Sequence, residues 1–226
     1  MAINFDGRHF KKEIILQAVR WYVAYSLSYR DIEELMKERG VDVDHVTIHR
    51  WVVHYSPQLE KAFQKRKLKP GVRLRMDETY IKVKGQWKYL YRAVDKQGKT
   101  VDFLLTAKRD TKAAKRFFKK MIKRQGNPSL VNIDISGSNK AALDQINIEG
   151  EKAIEIRQCK YLNNLVEQDH RQIKKLFRAT LGFKNFHCAQ KTLTGFELMH
   201  IIQKGQLLQT GEMTLSPAEQ FYSLAA

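Results

Sequence analysis

The sequence predicts an α/β protein, a mixed β-sheet with helices on both sides, preceded by a small all-α domain. Three observations carry that expectation. Apolar residues recur at helical spacing over residues 13–55. At Val72 the texture changes to alternating, β-branched segments separated by glycine turns. Beyond residue 110, helical stretches alternate with short apolar ones, the pattern of a layered α/β domain. With 226 residues, 43% of them hydrophobic, the chain can build one sizeable core and a smaller second module.

The first helix is expected over residues 13–25, with Ile14/Ile15, Ala18/Val19 and Tyr22/Val23 inward. Ser28-Tyr-Arg-Asp31 is a capping box for a second helix, whose hydroxyl and carboxylate satisfy each other's backbone amides. Ile32, Leu35 and Met36 form its inner face, and Gly40 suits a left-handed stop. Asp44 can cap a third helix with an apolar stripe at Ile48, Trp51, Val52 and Tyr55. Helix, tight turn, helix is the outline of a helix-turn-helix, and Thr47, His49, Arg50 and His54 lie off the stripe where a DNA groove could meet them. A plain three-helix bundle with a solvated face fits the same pattern. His45, His49 and His54 lack a completing ligand set, so they read as surface histidines. Residues 61–71 are a basic linker, either touching a phosphate backbone or simply solvated.

Three strands follow, over VRLRMDETYIKVKG, QWKYLYRAVD and KTVDFLLTAK, joined by short turns at Gly85 and Asp95–Gly98. A helix over about 111–125, a buried strand Leu130–Asp134, a helix over about 138–147, a strand Ala153–Cys159 and a basic helix from Asn164 to Arg178 complete the core. The expected domains are therefore 1–60, 72–185 and a helical extension over 186–226, packing as a lid or arm.

Lys and Arg exceed Asp and Glu by 17, which makes a polyanion the leading partner, because each neutralised phosphate releases counterions. The hydrophobic content excludes a disordered basic tail. Cys159 and Cys188 have no CxxC companions, so neither a disulfide framework nor a cysteine-rich zinc site is expected, and a reducing, cytoplasmic setting fits. The N-terminus lacks the apolar run of a signal peptide, and no stretch approaches the roughly 20 apolar residues of a membrane span.

In so basic a chain, acids inside apolar strands need a reason. Asp77 interrupts the first strand, Asp134 ends the buried central strand, and Glu167 opens the last core helix. Any one alone would pair with a neighbouring Lys or Arg. Three at the edges of one sheet suggest convergence, and carboxylates without histidine or thiolate suit Mg²⁺ or Mn²⁺. Two such ions about 3.5–4 Å apart can drive phosphodiester displacement.

These residues carry a family resemblance. RMDETYIKVKGQWKYLYRAVDKQGKTVDFLLTAKRD, the Asp134 strand and CKYLNNLVEQDHRQIK resemble the DDE transposases of short, single-gene insertion sequences, insertion-sequence family six in particular. The likeness runs from Tyr29-Arg-Asp-Ile through Thr47-Ile-His-Arg-Trp51 to Ser216-Pro-Ala-Glu-Gln-Phe-Tyr222. It implies an RNase H-like catalytic core, a helix-turn-helix for terminal inverted repeats, strand transfer into target DNA, and a homo-oligomer that pairs two ends. Asp77, Asp134 and Glu167 match the three acids, and Lys174 matches the family's basic residue two turns further along the same helix. His170 and Arg171 fall between and could help hold DNA, although a solvated role fits Arg171 equally well. After the second acid this chain reads Ile-Ser-Gly-Ser where the family has lysine or glutamine and Ala-Pro, and its spacing to Glu167 is about two residues shorter. The reading is a metal-dependent transposase. The alternatives are a DNA-binding protein without chemistry and an RNase H-type nuclease lacking end specificity. On any of them, DNA affinity is expected to fall steeply between low and moderate salt in a filter-binding series, and a flat response would contradict the polyanion reading.

Overall fold

The computed structural model describes residues 3–150, 152–180, 182–209 and 214–226. The chain divides into two compact units: one comprises residues 1–68 and 173–226, the other residues 69–172. Each forms its own core.

The unit of residues 69–172 is built on a five-stranded sheet whose strands, numbered along the chain, lie in the order 3-2-1-4-5. β1 (Arg73–Val83), β2 (Gln86–Asp95) and β3 (Thr100–Thr106) form an antiparallel meander. β4 (Leu130–Ile133) and β5 (Glu155–Gln158) add on in parallel. This is the mixed sheet implied by the RNase H-like resemblance. β1 is central, so its residues are flanked by strands on both edges where the site forms. Asp95 is the nucleus of the β2–β3 turn, accepting bonds from the amides of Gly71, Gln97 and Lys99 at 2.8–2.9 Å.

Side chains alternate across a strand, so Leu74 and Met76 face one side with Tyr91 and Ala93 of β2. Against them pack Phe117, Phe118 and Met121 of α4 (Thr111–Gln125) and Ala142, Leu143 and Ile146 of α5 (Gly137–Glu149). Asp110 caps α4 by accepting from the Ala113 amide at 2.8 Å. The opposite face carries Arg75, Asp77 and Arg92 and meets the start of α6 (Asn164–Leu176) through an ion pair between Arg92 and Asp169 at 2.8 Å. The short connection between α5 and β5 is fastened by Asn147, whose side chain bonds both the amide and the carbonyl of Ile154; Glu151 lies outside the described residues.

In the helical unit, α1 spans Lys12–Ala24, α2 Tyr29–Lys37 and α3 His45–Gln64. Ser28 and Asp31 form the capping box of α2, at 3.1 and 2.7 Å. Gly40 takes a left-handed φ of 73° after α2. Asp44 caps α3. The basic stretch assigned to a linker is largely structured: α3 continues to Gln64, and Arg66 and Leu68 then exchange backbone bonds with Gln206 and Leu208. The tail also groups differently from a lid or arm. Its helix α7 (Phe186–Gln203) lies against α3 and α1, while residues 210–213 lie outside the described residues. Long-range helix packing, invisible to local periodicity, decides both points. Among the described residues no helix is long and apolar enough to cross a membrane.

The α7 contact is close enough to require glycine. A Cβ on Gly195 would sit 2.5 Å from the Ser56 hydroxyl and 2.7 Å from a Val23 methyl. Gly195→Ala is therefore expected to lower unfolding stability by about 1–3 kcal/mol in denaturant titrations, even though alanine is the better helix former. An unchanged or higher midpoint would show that α7 can back away.

Candidate active site

The parallel register of β1 and β4 builds the site. Arg75 lies opposite Asn132, so Asp77, two residues on, comes beside the end of β4, where Asp134 follows. Glu78, next to Asp77, points to the other face of the sheet. Asp77, Glu78 and Asp134 each bring a carboxylate oxygen to within 4.8 Å of the others. Such a set of hard oxygen donors fits a divalent cation of the Mg²⁺ type.

Crowding these acids has electrostatic consequences. Asp77 is pushed up to about 7, first by burial and then by the charges of Glu78, Asp134 and Glu167. Burial also raises Glu78, although Arg109 opposes it. Arg109 donates to Asp134 Oδ2 at 2.9 Å and stands 3.4 Å from Glu78. Burial works to lower its pKa, but the Glu78 and Asp134 carboxylates outweigh that and hold it up. Asp134 Oδ1 accepts from the Ser136 amide at 3.1 Å and from Asn139 at 3.3 Å. The segment that departs from the family pattern thus orients the second acid.

Three further links fix the frame. Asn132 donates to the Cys159 carbonyl at 3.0 Å and to Asn163 at 2.7 Å. Asn163 in turn donates to the Met76 carbonyl at 3.4 Å, joining β4, the turn before α6 and β1. On the same face, Arg92 is fully buried and pairs with Asp169 at 2.8 Å, anchoring the start of α6 to the sheet.

Glu167 lies in the first turn of α6, exposed and outside the close trio, yet near enough to bias Asp77. His170 is buried, its Nδ1 3.7 Å from Asp77, beyond hydrogen-bond reach. Arg171 and Lys174 are exposed on the same helix. On α3, Arg50 and His54 are exposed. Thr47 is committed to Asp44, donating its hydroxyl at 2.8 Å. His49 is half-buried, edge-on to Tyr29 at 5.3 Å, and burial lowers its pKa. Sequence reasoning missed Glu78, Arg109, Asn132, Asn163 and the Arg92–Asp169 pair. Two of these left a signal: Arg92 is a charge inside the apolar run YLYRAVD, and Glu78 directly follows the first acid.

Comparison with known proteins bears on what this arrangement does. Residues 71–206 match a family model described as a DDE domain, and residues 9–127 match one described as the IS66 transposase family. The chain is 44% identical to the transposase for insertion sequence-like element IS431mec of Staphylococcus aureus, over 202 residues covering 88% of each chain. It is 43% identical, at the same coverage, to the transposase for insertion sequence element IS257 in transposon Tn4003 of Staphylococcus aureus. Among solved structures, it is similar to the catalytic core domain of HTLV-2 integrase in complex with magnesium. That match has 22% identity and a TM-score of 0.39, covering 48% of this chain and 70% of that one.

The raised Asp77 pKa makes a prediction about stability. A carboxyl whose folded pKa lies above its unfolded value of 3.8 contributes stability that is complete below about pH 4 and lost as pH rises through about 7. Chelator-treated protein is therefore expected to lose on the order of 2 kcal/mol of unfolding free energy between pH 4.5 and 7.5. Asp77→Asn should flatten that slope in urea titrations. An unaltered slope would place the titration elsewhere.

Proposed function

Because the chain belongs to the DDE transposases of bacterial insertion sequences, with family six as the fitting type, we propose that it cuts and rejoins DNA at the ends of its own element, using Asp77, Asp134 and Glu167 as its acids. The observation that carries this reading is the gathering of Asp77, Glu78 and Asp134 within 4.8 Å inside a chain of net charge +17. Acids held together against such a background hold metal, while the surrounding cations hold phosphate.

A pair of Mg²⁺ or Mn²⁺ ions would supply Lewis acidity for the attacking and leaving oxygens of phosphodiester displacement. Asp77 and Asp134 offer oxygens from neighbouring strands, and Glu167 offers one from α6. A cation held there would offset the repulsion of the neighbouring carboxylates and favour the ionised form of Asp77. Arg109 donates to Asp134 Oδ2, so a cation held by that oxygen would have to displace it. The freed guanidinium fork would match a phosphate group. Lys174 and Arg171, exposed along the same helix as Glu167, serve the backbone of the bound strand, while buried His170 stays beside Asp77.

In the helical unit, exposed Arg50 and His54 of α3 read the terminal inverted repeats, while Thr47 and His49, engaged by Asp44 and Tyr29, hold the helix start that presents them. Pairing two ends and joining them to target DNA calls for a homo-oligomer. The protein then works in the bacterial cytoplasm, on the nucleoid.

The test uses duplexes that carry the element's terminal repeats. Wild-type protein is expected to nick and join them in Mg²⁺ and to stop in chelator. Asp134→Ala should lower strand transfer about a hundredfold or more while leaving duplex affinity within about twofold. Wild-type protein that binds ends yet never cuts them, in either metal, would instead establish a DNA-binding protein without chemistry.

A further inference from the structure

The face of β1 and β2 that carries Glu78 continues outward past the helical cover. Cross-strand neighbours share a face, and along this one the pairs are Glu78 with Tyr91, Tyr80 with Tyr89, and Lys82 with Trp87. Trp87 is 60% exposed and Tyr80 48% exposed, an unusual place for large rings unless something covers them. The rings are ordered against each other: Tyr80 meets Trp87 edge-on at 6.3 Å and Tyr89 at 5.4 Å, and Lys82 lies 5.8 Å over the Trp87 ring. Residues 79–89 contain lysines but no acid. Glu78 of the acid cluster lies two residues before Tyr80 on this face, so the stripe and the cluster adjoin.

The tip supplies a second, independent observation. Lys84 (φ 50°) and Gly85 (φ 76°) form the two-residue loop closed by Val83 and Gln86. Positive φ at both positions is the type I′ geometry, which favours Asn-Gly. Among the described residues, Lys84 is the only non-glycine with positive φ. A lysine therefore sits at the tip in a conformation that asparagine or glycine would adopt at less cost, with its charge held at the end of the aromatic face.

We propose that this hairpin face is a docking surface for an unpaired DNA strand running out from the acid cluster, its bases stacking on Trp87 and Tyr80 and its phosphates meeting Lys82 and Lys84. Duplex DNA has no free base face to offer these rings, whereas single strands bind by this combination of aromatic platform and cationic track. The proposal rests on the transposase reading and adds to it the strandedness of the DNA beside the cut.

The full-length protein and an oligodeoxythymidine probe test it. Trp51 is buried and Trp21 half-buried, so quenching by a stacked base falls chiefly on exposed Trp87. Expected are quenching on binding and a roughly tenfold weaker affinity for Trp87→Ala, largely restored in Trp87→Phe, with terminal-repeat duplex affinity unchanged. Lys84→Asn should raise the thermal midpoint by about 2 °C and still weaken the single-strand complex, which a purely structural turn residue could not do. Equal single-strand affinity in wild type and Trp87→Ala overturns the proposal. So does a loss shared equally by duplex, or a change of oligomeric state that points to a protein partner. Failure of the transposase reading itself would appear separately, as wild-type protein that leaves duplex ends uncut.

Discussion

Like charges do not gather without a reason. Holding Asp77, Glu78 and Asp134 within 4.8 Å of one another, partly out of water, is the constraint around which the sheet unit is organised. Strand pairing alone would bring the backbones together and let the carboxylates turn apart. The surrounding network prevents this. Ser136 and Asn139 hold one oxygen of Asp134, and Arg109 holds the other. Asn132 and Asn163 tie β4 to β1 beneath the acids. Arg92 and Asp169 fix the first turns of α6, and so the place of Glu167. The hydrogen bonds and ion pairs around the acids are what oppose that repulsion and hold the carboxylates together.

The same strand serves two chemistries. On one face β1 presents Asp77, and on the other it passes from Met76 in the core through Glu78 to Tyr80 and Lys82 in solvent. The alternation of a β-strand makes this division possible, and the length of β1, eleven residues, lets it extend past the helices that cover its first half. Apolar burial, a cluster of acids and an aromatic surface therefore follow one another along a single extended segment.

Much of this was legible in the amino-acid order, and the rest could not have been. Ser28, Asp31 and Asp44 act within their own helix turns, so their capping roles could be read locally. Asp77 and Asp134 stood out because an acid in an apolar strand has few explanations. Strand boundaries differ by a residue or two, as with β5, expected over 153–159 and found over Glu155–Gln158, while α3 runs on to Gln64 into the stretch read as a linker. Arg109 and Asn163 gave no warning, because their importance arises only when segments 25 or more residues apart are brought together. The grouping of α7 with α1 and α3 is of the same kind. The apolar positions of α7 announce burial, but nothing in them names the surface they are buried against.

That grouping has a consequence for synthesis. The helical unit is assembled from the first 68 residues and from residues beyond 172, with the whole sheet unit encoded between them. While the ribosome is still making the sheet, α3 has no α7 against which to bury Ser56 and its neighbours. A polypeptide released early therefore lacks the packing that completes its helical unit. Such a copy keeps α1 to α3 but leaves the surface that α7 covers exposed to water.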